Sequence, residues 1–156
     1  MADRIFWGLT ADGEYSVKSG AALLQGYGSD LPNQNGSTTY GFVIRDVVGN
    51  LLLSGANTIA DNNSILVAEA WGLRVGIQGA LCLGANNTTI KGDDLLVIQA
   101  IKRVCKIPWS INSLINDAAD DLRKFDNYNI QHVFRESNFA VDWIAHNGHS
   151  TTNLCY

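Results

Sequence analysis

Ser64–Leu83, SILVAEAWGLRVGIQGALCL, is the stretch on which the fold turns. Ile65, Leu66, Leu73, Ile77, Ala80 and Leu81 recur at helical spacing, and Ser64 stands where an N-cap belongs. The spacing predicts an amphipathic helix with a buried face. Glu69 interrupts the pattern. It lies four residues after Ile65 and four before Leu73, on the side that leans inward. A carboxylate turned toward a core is costly unless a positive partner meets it, and a metal ion is the strongest such partner. A lone glutamate ordinarily sits at the edge of such a stripe and reaches solvent. What matters is whether other carboxylates converge on it.

Upstream of this helix, YGFVIRD from Tyr40 and the following VVGNLLLSGANTI read as two strands joined at Gly49-Asn50. Downstream, NNTTIKGDD is a short strand ending in two acids. Leu95–Cys105 reads as a second helix, broken near Pro108, which cannot continue the hydrogen bonding. Asn112–Phe125 is a third, with Leu114, Ile115, Ala118, Leu122 and Phe125 on one side. NIQHVFRES is a strand in which Ile130, His132 and Phe134 alternate with Gln131, Val133 and Arg135, and Phe139–His146 closes as a short helix. Nearer the start, Ile5–Trp7 and Tyr15–Val17 look like strand pieces around an Asp12-Gly13 turn. Ser19–Leu24 suits a helical turn or a strand, and residues 25–37 form a loop. Strands interleaved with helices after an antiparallel hairpin predict an α/β fold, a mixed sheet with helices on its faces.

The chain's 156 residues suffice for one domain with a real core, and 46% apolar against 17% charged residues excludes a disordered chain. No apolar run reaches the roughly 20 residues of a membrane span, and MADRIFWGL lacks the order of a signal peptide. Cys82, Cys105 and Cys155 are odd in number, which suits reduced thiols and an intracellular setting, nuclear or cytoplasmic. The net charge of −4 argues against a generic nucleic-acid binder. A site built of carboxylates is nonetheless acidic by design, and local basic patches can still hold phosphates.

Two further acids stand at telling places. Asp93 ends a strand just before the second helix, where open α/β sheets put ligand groups. Taken alone, Asp93 or Asp94 would serve as that helix's N-cap. Asp142 lies early in the last helix, where a negative charge is favourable in any case. Together, GFVIRD, AEAWGL, IKGDDLLVIQAI and HVFRESNFAVDWIA closely resemble the ribonuclease H-like domains of plant non-LTR retroelements and related plant proteins. The resemblance covers roughly Tyr40 to Gly148. It implies a ribonuclease H-like mixed sheet with helices on both faces. It also implies an endonuclease that cuts the RNA strand of RNA–DNA hybrids with two divalent ions, Mg²⁺ or Mn²⁺, held by four carboxylates. Glu69, Asp93 and Asp142 match three of them by motif. The chemistry agrees: paired hard cations at a phosphodiester require oxygen ligands rather than His or Cys.

The family's first carboxylate, usually in an Asp-Gly-Ser hairpin, has no clean match. Asp30 has nearly the right spacing but reads Ser-Asp-Leu-Pro, whereas Asp12 has the Asp-Gly form but lies far upstream. Residues 3–24 resemble the tail of the zinc-binding region found between reverse transcriptase and ribonuclease H in such elements. The expected organisation is therefore 1–24 as that residual segment, 25–148 as the ribonuclease H-like domain and 149–156 as a polar tail. A first strand rebuilt from foreign sequence opens a second reading, a domain that keeps the fold and binds nucleic acid or protein without cutting. Lys102, Arg103 and Lys106 are candidates for substrate phosphates, or a solvated helix face. His132, Trp71, Trp109 and Trp143 are expected to pack. A monomer acting on nucleic acid, with no membrane partner, completes the expectation.

Overall fold

The computed structural model describes residues 14–24, 37–59 and 64–134. Its elements run β1 (Glu14–Leu24), β2 (Ser37–Arg45), β3 (Leu51–Ile59), α1 (Ile65–Cys82), β4 (Asn87–Gly92), α2 (Leu95–Ile101), a 3-10 turn (Trp109–Ile111), α3 (Asn112–Leu122) and β5 (Asn127–His132). They build one five-stranded sheet in the order β3-β2-β1-β4-β5. β2 is antiparallel to both β1 and β3, while β4 is parallel to β1 and β5. The segment resembling a foreign module, in part, thus forms the central strand. Ser19–Leu24 resolves as strand.

The β2–β3 hairpin turns where the sequence indicates. Gly49 has φ +89°, a conformation open to glycine. Asp46 Oδ1 accepts from the backbone N–H of Val48 at 3.1 Å and of Asn50 at 2.8 Å, and Oδ2 accepts from Asn50 Nδ2 at 2.7 Å. Desolvation, which raises the Asp46 pKa, is outweighed by these bonds from Asn50, Val48 and Gly49, which hold the carboxyl below its ordinary value. A depressed native pKa means that the Asp46 contribution is complete above the unfolded value, about 4, and is lost as pH falls through the native one. In an NMR titration the Val48 and Asn50 amides are expected to shift together below about pH 4. An unchanged pair of amides there would show that the carboxylate does not hold the turn.

The core lies under α1. Tyr40, Phe42 and Ile44 alternate on one face of β2, and Ile44 pairs with Leu53 of β3. At Gly79 the helix comes close. A Cβ there would stand 3.0 Å from Ile44 Cδ1 and Leu53 Cδ2 and 3.3 Å from Phe42 Cε2. α1 also packs against α3, so Ala68, Ala70, Leu73, Ile77 and Ala80 are all buried. This explains its nearly unbroken apolar character. By length and composition α1 would in fact suffice to cross a membrane, contrary to the sequence expectation, but here it is the core helix. Tyr40 stacks on Trp71 at 6.2 Å, the Arg74 guanidinium lies 5.4 Å over the Trp71 ring, and Arg74 pairs with Asp117 at 3.3 Å. Burial pushes the Tyr40 hydroxyl above its ordinary pKa despite a hydrogen bond with Asn57.

Helix ends differ from expectation in an informative way. Ser64 caps α1 as predicted, its hydroxyl accepting from Val67 N–H at 3.3 Å. α1 closes with Gly84 at φ +75°, and the N–H groups of Gly84 and Ala85 reach Leu81 and Ala80. α2 stops at Ile101, four residues short of Cys105, through the same double bond pattern: Arg103 N–H to Ala100 and Val104 N–H to Gln99. Here the left-handed position is filled by Arg103 at φ +61°, not by glycine, so nothing in the sequence signals the stop. β5 ends at His132, which leaves Phe134 76% exposed rather than packed. Trp109 is 91% exposed; it points outward from the turn that carries Ile111 into the core. His132 is exposed as well.

Candidate functional site

Strand directions gather several chain segments at one end of the sheet. β4 ends at Gly92, which pairs with Ser19 of β1 and His132 of β5. β3 runs parallel to β1, so its end at Ile59 lies toward the same side, and α1 starts from there. Glu69, in the second turn of α1, and Asp93, directly after β4, therefore belong to the same end.

Both acids behave as more than surface charges. Glu69 is only 4% exposed, on a helix whose neighbouring positions are core. Asp94 takes the N-cap of α2, its Oδ1 accepting from Val97 N–H at 3.0 Å. Of the two acids that could have served as the cap, it is Asp94 that does so. His132 fixes the backbone at this point: its Nε2 lies 3.0 Å from the Asp93 carbonyl oxygen. With Val133 N–H bonded to Gly92 O at 2.9 Å, the end of β5 is laced to the end of β4. Sequence reading treated His132 as a packed strand residue and missed this positioning contact, which spans 39 residues.

The remaining predicted ligands, Asp142, Asp30 and Asp12, lie outside the described residues. Among the described residues no group of three or more His, Cys, Asp and Glu side chains converges to hold a metal. Glu69 and Asp93 have the oxygen donors that a hard divalent ion needs, and are the two of the four expected ligands that lie among the described residues. The central strand adds none at this end. Past Ser19 it continues Gly20-Ala21-Ala22-Leu23-Leu24, and its one carboxylate, Glu14, pairs with Asn87 at the opposite end of β4.

The predicted phosphate contacts lie elsewhere. Lys102 caps the far end of α2, and Lys106 is exposed on the segment leading to the 3-10 turn. The Arg103 guanidinium donates to Asn116 Oδ1 of α3 at 2.7 Å.

Residues 27–148 match the family model described as reverse transcriptase-like. A search of curated protein sequences finds no match. Solved structures agree on the fold. RNase H1 from Halobacterium salinarum superimposes with a TM-score of 0.74 at 21% identity, over 87% of this chain and 97% of that one. The N-terminal RNase H domain of a Mycobacterium tuberculosis protein gives 0.75 at 21% identity, over 86% and 92%. LC11-RNase H1 in complex with an RNA/DNA hybrid gives 0.70 at 18% identity, over 85% and 94%. The mixed sheet, the carboxylates at its β4 end and the family match converge: this chain belongs to the reverse transcriptase-like family and has the ribonuclease H fold.

Proposed function

We propose that the protein binds RNA–DNA hybrids and hydrolyses the RNA strand at the β4 end of its sheet. One observation carries the reading: a buried carboxylate, Glu69, placed at the same end as an aspartate, Asp93, whose backbone is held by His132. In this reading Asp142 and Asp30 complete the ligand set with them. Asp30 is preferred over Asp12 on connectivity. Leu24, which precedes Asp30 in the chain, ends β1 on the Asp93 side of the sheet, whereas Glu14, which follows Asp12, begins β1 on the other side. Two divalent ions, Mg²⁺ or Mn²⁺, when bound would activate water and stabilise the leaving oxygen of the phosphodiester. The chain's own part is to present oxygen donors from a rigid helix and strand end, with Glu69 shielded from bulk water. Lys102, Arg103 and Lys106 would hold flanking phosphates, a screened and salt-sensitive contribution. The retroelement origin implied by the motifs, and an acting monomer inside the cell, belong to the same proposal. The structure in complex with an RNA/DNA hybrid among the similar folds supports the choice of substrate.

A second reading is favoured by β1. Without an acid beside Gly92 the site has lost its first-strand ligand, and the domain binds hybrids without cutting them. One experiment separates the two. The purified chain is given a labelled RNA–DNA hybrid in Mg²⁺ or Mn²⁺, with an EDTA control, and binding is followed in parallel. Metal-dependent cutting of the RNA strand is the expected result. Binding without cutting selects the second reading, and neither binding nor cutting rejects both.

A further inference from the structure

The end of α2, the second half of α3 and β5 enclose an open groove of about 420 Å³. Its floor is apolar, built from the buried Ile101, Leu122 and Ile130. Lys102, Arg103 and Arg123 line it, no acid among the described residues does, and Tyr128 lies there 49% exposed. Its size falls within the range of sites for small organic groups. In a chain of net charge −4 this is a local reversal of sign. Arg123 also pairs with Asp120 at 2.9 Å, but both side chains are exposed, and such a pair is readily exchanged for another anion.

The rim is held in a costly shape. Arg103 adopts φ +61° where glycine would close α2 without strain, and its guanidinium is steadied by Asn116. Strained backbone of this kind is kept where a side chain is needed. The groove is not part of the carboxylate site. Tyr128 and Asn129 pair with Thr88 and Thr89, near the start of β4, whereas Asp93 follows its end. Four residues of strand, about 13 Å, separate the two levels.

Cations beside a half-exposed aromatic ring over an apolar floor are the chemistry of single-strand binding, with phosphates on the cations and a base on the ring. We propose that this groove holds a single-stranded nucleic-acid segment, one base against Tyr128 and its phosphates on Lys102, Arg103 and Arg123. It would capture an unpaired tail flanking the duplex. This deepens the proposed function and rests on its nucleic-acid-binding part.

The test measures fluorescence anisotropy of the full chain with three probes: a blunt RNA–DNA hybrid, the same hybrid with a single-stranded overhang, and a free single-stranded oligonucleotide. The overhang is expected to tighten binding. Tyr128→Ala should remove that gain, weakening overhang and oligonucleotide binding roughly 5- to 100-fold, while Tyr128→Phe retains it. Lys102→Ala should lower the salt slope by about 0.7. Arg103→Gly is expected to raise Tm by roughly 2–4 °C while weakening oligonucleotide binding, a split that a purely structural arginine would not show. The proposal is overturned if the overhang adds nothing, if Tyr128→Ala binds the oligonucleotide like the parent chain, or if adenosine monophosphate competes as well as the oligonucleotide. Failure of the blunt hybrid to bind would sink the hybrid reading alone, and the oligonucleotide arm would still decide the groove.

Discussion

Cleavage of an RNA–DNA hybrid is expected to fall by roughly 10²- to 10⁴-fold in Glu69→Gln, because one metal-holding carboxylate supplies several kcal/mol of charge stabilisation. Gln preserves the size of the side chain and its hydrogen-bonding oxygen, so the fold is expected to persist. Without metal, thermal melting of the variant checks that persistence at a position only 4% exposed. With Mg²⁺ or Mn²⁺ added, the parent chain should gain Tm by mass action and the variant should gain less. The two readouts are independent. A variant that still cuts at the parent rate removes Glu69 from the site, whatever happens to Tm. A parent chain whose Tm ignores metal, and which does not cut, leaves Glu69 as a remnant of a lost centre. In that case the acid-free end of β1 is the physical cause.

Phe42→Ala should cost about 3–5 kcal/mol. Phe42 is 1% exposed on β2 and lies where α1 comes nearest the sheet, its Cε2 within 3.3 Å of the space a Gly79 Cβ would take. Small residues on α1 let the helix sit close, so the backbone has little room to settle into the cavity. For a domain of ordinary stability, about 5–15 kcal/mol, this is a large fraction. Urea titration should show a lower midpoint with the slope unchanged. A loss under about 1 kcal/mol would mean that the site collapses onto Gly79 and that the close approach is not rigid.

Much of this protein was legible from residues that act locally. Ser64 announced the start of α1, Gly49-Asn50 the hairpin, and the apolar spacing of Leu114, Ile115, Ala118 and Leu122 the core face of α3. Each works through its own backbone or a period of a few residues, so the pattern survives without tertiary context. Glu69 stood out for the same reason, as the wrong polarity on an inward-leaning stripe. The three-dimensional arrangement decided the rest. Arg103 ends α2 in a conformation that its residue type disfavours, so the stop depends on Asn116 and α3 rather than on a glycine signal. Lys102, Arg103, Arg123 and Tyr128 meet only because α2, α3 and β5 pack together. The contact between His132 and Asp93 depends on β5 lying parallel to β4. That Glu14–Leu24 became the central strand, with its one acid at the wrong end, was set by pairing with β2 and β4. Strand pairing is satisfied by backbone groups, so a segment without the usual carboxylate can still take the place of one that had it.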